Sequence, residues 1–165
     1  MGMWRRVDRA TVDEARSMLW ACCGSTSWVE RMLARRPFAT REALLEAARE
    51  EWFQLTEDDW LEAFRQHPKI GDRDALRERF GASGHLSEKE QSGLAGAADD
   101  ILGALAAANR EYERKFGFIF IVCATGRSAG EMLDMISARL KNDRKTELHT
   151  AAAEQARITE LRLVG

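Results

Sequence analysis

Proline is nearly absent from this chain, with Pro37 and Pro68 the only two among 165 residues. So little of a helix breaker leaves long stretches free to coil. Charge of one sign is also missing. The 25 basic and 27 acidic residues leave a formal charge of −2, which excludes a global field for polyanions and argues against nucleic acid as a partner. Cysteine is scarce and unpaired in pattern. Cys22, Cys23 and Cys123 make an odd count without a C-x-x-C pair, which fits a reducing compartment better than a disulfide framework. The three histidines, His67, His85 and His149, share no metal-ligand spacing with each other or with the cysteines, and no metal site is expected. No apolar run approaches the ~18 residues of a membrane span. The opening MGMWRR has no secretion-signal pattern, and Arg6 stands where a myristoylation site needs Ser or Thr. The expectation is a cytoplasmic protein with no membrane partner.

What is present is helical. Hydrophobic residues make up 45% and charged residues 32%, with Ala, Leu, Glu and Arg abundant, a composition that favours an all-α chain. The length suits one domain over 1–165. Helix starts are marked by Ser or Thr three residues before Glu at Thr11–Glu14, Ser27–Glu30, Ser87–Glu90 and Ser128–Glu131, the capping-box spacing. Thr40 and Thr56 are further N-cap candidates. Read from these caps, helices are predicted over about 11–23, 27–35, 40–54, 56–66, 87–115, 128–141 and 143–163, with Asp72 opening a short one to Phe80. The fold class is therefore an all-α single-domain bundle of about seven to eight helices.

One segment departs from helical periodicity. Phe118 to Cys123, inside FGFIFIVCATG, reads as a buried strand. A lone strand has no ladder partner. It is either an apolar linker through the core or an extended segment near 118–124 whose backbone groups face a ligand.

Three places invite chemistry. His67 lies in FRQHPKIGD, where Pro68 forces the helix to stop. A histidine there is either favoured by the helix dipole or held at a rigid corner to move protons near neutral pH. Ser87, Glu90 and Gln91 open the long helix. Ser87 caps in the bland reading, whereas a helix N-terminus also offers N–H groups to an anion. Arg162 ends the last helix within ITELRLVG and is by default a surface ion pair. His85 and His149 read as solvated.

Taken in order, RPF (36–38), HPKIG (67–71), SEKEQ (87–91), N-x-x-Y-x-x-KFGFIFIVCATG (109–126), ARLKN (138–142) and the closing EL…I-x-x-LRL (147–163) resemble the OHCU decarboxylase family. That family acts on 2-oxo-4-hydroxy-4-carboxy-5-ureidoimidazoline in urate breakdown. The resemblance implies an all-helical fold, a homodimer, no cofactor, and release of carbon dioxide with formation of (S)-allantoin. It puts the catalytic histidine at His67, with Pro68 lining the site, and the catalytic carboxylate at Glu90. Substrate contacts fall on Ser87, Glu88, Lys89 and Gln91, on the backbone of Phe120, Ile121, Val122, Cys123 and Ala124, and on Arg162. Ile119 stands where some members carry proline, and the chain ends LVG rather than in a peroxisomal signal. Two other readings remain. One is a non-catalytic helical module for ligand binding or dimerisation, and the other is a lyase on a related ureido compound.

Overall fold

A computed structural model describes residues 1–68 and 88–165, the side chains of 88–98 excepted. The helix expected from Asp72 to Phe80, the Ser87 cap and the His85 loop lie outside the described residues. Among the described residues there are eight helices and no strand. They are α1 (Met3–Arg9), α2 (Val12–Cys22), α3 (Thr26–Ala34), α4 (Arg41–Phe53), α5 (Glu57–Arg65), α6 (Glu88–Phe116), α7 (Ala129–Arg139) and α8 (Arg144–Val164). The chain forms two compact units. The first comprises Met1–His67, Ile121–Cys123 and Leu148–Gly165, the second Pro68–Phe120 and Ala124–Glu147.

The caps account for most of the boundaries. Thr11 accepts from the Glu14 N–H in a full capping box, and Thr56 does the same with Asp59 as the returning carboxylate. Thr40 accepts from Ala43 N and Ser128 from Glu131 N. Helix α3 departs from expectation, because its cap is Ser25, which accepts from Trp28 N. Ser27 instead sits within the first turn, its hydroxyl 3.0 Å from Asp59 Oδ1, while the expected box partner Glu30 pairs with Arg16 at 2.8 Å. The exposed N-terminus of α3 is further served by Glu62, which accepts from Thr26 N at 2.6 Å, a carboxylate at the positive end of a helix.

Helix α1 has no side-chain cap at Gly2, and no sequence signal announced it. It is held from outside. Arg36 donates to the carbonyls of Val7 (2.7 Å) and Ala10 (3.1 Å), meeting acceptors that a helix C-terminus leaves open. Asp8 in turn accepts from Phe38 N at 2.9 Å and from Ala39 N at 3.1 Å. Those bonds hold Ala39 at φ 68°, a left-handed conformation that costs a residue with a Cβ about 1–2 kcal/mol. The RPF motif is thus a clamp between α1 and the start of α4.

Three buried tryptophans organise the first unit. Trp28 Nε1 donates to Ala48 O (3.0 Å), Trp52 Nε1 to Ala152 O (2.9 Å) and Trp60 Nε1 to Trp52 O (2.9 Å). Each indole buries its rings and still satisfies its N–H. Leu19, Met32, Leu44 and Phe64 fill the space around them. In the second unit, α6 and α7 pack together over Leu105, Tyr112, Met132 and Ile136. Helix α6 ends where expected, at Gly117, whose φ of 79° and N–H bond to Glu113 O (2.9 Å) close it. Glu147, fully buried, accepts from Arg139 Nε, from the Tyr112 hydroxyl, and from Asn142 Nδ2 at 3.0 Å. Residues 119–124 carry no regular secondary structure, in keeping with the non-helical apolar segment read from the sequence.

Candidate functional site

Helix α5 ends at Arg65 because His67, one residue before Pro68, is driven out of helical geometry. The His67 N–H closes onto Phe64 O at 3.2 Å. Its ring is left half-buried at a corner rather than on a helix face.

Helix α8 supplies the opposing groups. Gln155 and Arg162 are seven residues apart, about two turns, so both project from one side of it. Arg162 Nη1 donates to Cys22 O at 3.2 Å, placing a cation on a carbonyl at the end of α2, where the helix dipole is negative. Gln155 Oε1 meets His67 Nε2 in a short hydrogen bond, and Gln155 Nε2 donates to Thr159 Oγ1 at 3.1 Å.

A pocket of about 370 Å³ opens between these elements, lined by Trp20, Ala21, Gly24, Ala63, Gln66, His67 and Arg162. Its volume suits a single small heterocycle. Gly24 makes the approach possible, since a Cβ there would lie 2.9 Å from Gln66 Cβ. Further hollows among the described residues, such as those bounded by Glu46, Arg49, Trp52 and Thr159 and by Arg16, Trp20 and Glu30, contain no histidine.

Electrostatics favour a neutral imidazole. Burial holds the His67 pKa below its ordinary value of 6.5, the Arg162 charge adds to that, and the Gln155 hydrogen bond opposes it. Burial also raises the neighbouring thiols, Cys23 up to about 12 against hydrogen bonds from Thr159 and Ser25. The pocket therefore combines a proton acceptor that is uncharged at neutral pH with a permanent cation. Such a pair can hold an anionic or carbonyl group while moving a proton. Among the described residues no group of three or more His, Cys, Asp or Glu side chains is placed to hold a metal ion.

Of the residues expected from sequence, His67 and Arg162 come together here. Pro68 follows His67 and is exposed. The Phe120 ring is committed to packing, 5.3 Å from Tyr112 and 4.5 Å beneath the Arg139 guanidinium. Only its backbone remains to meet a ligand. Ile121 is buried, and Val122, Cys123 and Ala124 are half-buried. Ser87 lies outside the described residues. Glu88, Lys89, Glu90 and Gln91 fall in the first turn of α6, with their side chains outside the description. His149 is exposed, as read from the sequence, and its ring meets Trp60 edge-on at 5.5 Å.

Sequence reasoning missed Gln155, Thr159, Gly24 and Trp20. For the first two a signal existed. Leu148, Ala151, Ala152, Gln155 and Thr159 are all buried at helical spacing, so an amide and a hydroxyl interrupt an otherwise apolar stripe.

Known proteins resemble the chain along most of its length. The uric acid degradation bifunctional protein TTL of Arabidopsis thaliana is 39% identical over 143 residues, covering 86% of this chain and 44% of that protein. The 2-oxo-4-hydroxy-4-carboxy-5-ureidoimidazoline decarboxylase of Xenopus laevis is 32% identical over 104 residues, 60% of this chain and 56% of that protein. The chain thus spans about half the length of these curated relatives. A crystal structure of OHCU decarboxylase in the presence of (S)-allantoin superposes with a TM-score of 0.70 at 38% identity, covering 88% of this chain and 94% of the other. Residues 8–164 match the model of the OHCU decarboxylase family, and the chain belongs to that family.

Proposed function

We propose that the protein decarboxylates 2-oxo-4-hydroxy-4-carboxy-5-ureidoimidazoline to (S)-allantoin and carbon dioxide, with His67 as the proton-handling group. The observation that carries this reading is the pairing of His67 with Arg162 in one pocket of a chain that matches the family over residues 8–164.

The substrate's own bonds shape the chemistry. Its carboxylate sits on C4 beside the C5=N1 double bond. When the C4–carboxylate bond breaks, its electrons form C4=C5 and the displaced pair moves onto N1, which takes a proton from solvent. His67, neutral and acceptor-competent, then removes the 4-hydroxyl proton as the C4 carbonyl forms, and returns it to one face of C5. One proton is consumed overall, matching the loss of a carboxylate as carbon dioxide. The ring serves as its own electron sink. The protein's task is to turn the carboxylate out of the ring plane and to deliver the proton from one side, and a positioned acid–base group is worth about 10²–10⁴-fold.

In this proposal Glu90 hydrogen-bonds the 4-hydroxyl. Arg162, with Ser87, Glu88, Lys89, Gln91, Pro68 and the backbone from Phe120 to Ala124, holds the ureido and ring amides. The whole chain from 1 to 165 acts as one functional domain, a cytoplasmic homodimer, whose assembly sedimentation would report. No helix among the described residues is long and apolar enough to cross a membrane.

The test generates the substrate in place with urate oxidase and hydroxyisourate hydrolase and follows optically active allantoin by circular dichroism. Fast appearance of the S enantiomer only in the presence of the protein is expected. His67→Asn should abolish it with the helical spectrum intact. Slow racemic product regardless of the protein would return the chain to a binding module, and full turnover by the variant would remove His67 from the mechanism.

A further inference from the structure

The mechanism as proposed uses His67 and Arg162 and leaves Gln155 unexplained. Gln155 is a polar side chain 1% exposed within the apolar stripe of α8. No buried side-chain N or O among the described residues lacks a partner, so its bonds can be followed end to end. Gln155 Nε2 donates to Thr159 Oγ1 at 3.1 Å. The Thr159 hydroxyl, itself buried, hydrogen-bonds the Cys23 thiol, which also accepts from the Ser25 backbone. In its bond with Gln155, Thr159 Oγ1 is the acceptor. The amide must then present its nitrogen to Thr159 and its oxygen to His67. An amide oxygen only accepts, so the ring nitrogen facing it carries the hydrogen.

We infer that Gln155 is a positioning residue that holds His67 as the Nε2–H tautomer, leaving Nδ1 as the lone-pair nitrogen for the reaction, with Thr159 fixing the orientation of the amide. A histidine free to exchange tautomers presents the wrong nitrogen part of the time. One locked by a buried acceptor is ready in every encounter. The sequence Cys23, Thr159, Gln155, His67 runs from the end of α2 through two positions one turn apart on α8 to the corner after α5. It ties proton chemistry to two buried groups outside the pocket's lining. Among the described residues Arg162, on the same face of α8, is the charged group that bears on His67, and it acts in turn on the thiols of Cys22 and Cys23 at the end of α2. Burial raises both thiols, so they stay neutral through the pH range of the test.

This inference rests on His67 being the proton-handling group, and the experiment separates the two. Nitrogen-15 NMR of the full chain with labelled histidine reads the tautomer of His67 directly, whatever the protein catalyses. Hydrogen on Nε2 is expected in the wild type, and mixed tautomers in Gln155→Leu. In the coupled assay Q155L should lose up to about 10²-fold in kcat with KM little changed. Gln155→Glu puts a carboxylate against the Nε2–H and should move the acid limb of the kcat/KM profile upward by a pH unit or more. Thr159→Val should weaken the tautomer preference, and Thr159→Ser should restore it. Hydrogen on Nδ1 in the wild type would overturn the inference, as would a tautomer and pH profile unmoved in folded Q155L and Q155E. Should Q155L not fold, the wild-type tautomer and Q155E still decide. Full activity of His67→Asn would sink the catalytic assignment while leaving the tautomer measurement to judge Gln155 alone.

Discussion

Replacing Gly24 by alanine tests whether close approach at the mouth of the pocket matters. Gly24 is buried, and a Cβ added there would stand 2.9 Å from Gln66 Cβ and nearer still to Cγ. The far end of the glutamine can swing away. Its Cβ is fixed to the backbone and must retreat to ordinary contact at 3.4 Å, a shift of at least 0.5 Å (3.4 − 2.9). Gln66 is bonded to His67, so the shift passes to the imidazole. Overpacking of this kind costs about 1–3 kcal/mol, or roughly 2–12 °C in Tm for a chain of this size. If a 1 Å misplacement costs up to about 10²-fold, half of that should cost about 10-fold in kcat. Thermal circular dichroism and the coupled allantoin assay give both numbers. Gln66→Gly removes the colliding Cβ, so the double variant should recover much of each loss, a coupling that a mutant cycle isolates. A G24A protein with unchanged Tm and full turnover would refute the reasoning, as would losses that simply add in the double variant.

Glu147→Gln takes the carboxylate from a buried site where Arg139, Tyr112 and Asn142 all donate to it. A loss of roughly 3 kcal/mol is expected in urea unfolding, and a change under 1 kcal/mol would show that the charge matters little there. The pH dependence of stability should carry a His67 contribution of definite sign. The folded pKa lies below the ordinary 6.5, so on acidification the unfolded chain takes up the proton first. That stability is fully present above about pH 6.5 and is lost as pH falls through the native value. Urea midpoints measured from pH 7 to pH 5 should therefore fall more steeply for the wild type than for His67→Asn. Parallel curves would contradict the burial argument.

Much of the fold was written locally. Thr11, Thr40, Thr56 and Ser128 cap the helices their spacing announced, and Gly117 closes the long one. These signals involve residues within one turn, so a linear reading finds them. Helix α1 was illegible because its support comes from Arg36, 29 positions from Val7. The N-cap of α3 was misread because Ser25 and Ser27 are both cap-competent, and the choice between them is made by Asp59 and Glu62 on another helix. The site divides the same way. Proline after histidine marks the His67 corner, and the family's motifs mark Arg162. The hold of Gln155 on His67 spans 88 residues, and only packing discloses it.

The first unit is built mainly from the beginning of the chain and its end, Met1–His67 and Leu148–Gly165, with Ile121–Cys123 between, and this gives its assembly an order in time. On a ribosome, helices α1 to α5 emerge before Gln155, Thr159 and Arg162 have been joined to the chain. Leu148 comes 81 positions after His67 (148 − 67), about 4–16 s of synthesis at ~5–20 residues/s. During that interval the Trp52 indole lacks its acceptor on Ala152, and the His67 corner has no amide to meet. Closing so long a loop is an entropic cost borne before any of its contacts form. The pocket is therefore among the last features to exist in a newborn molecule, and a chain interrupted before α8 carries its histidine without the groups that orient it.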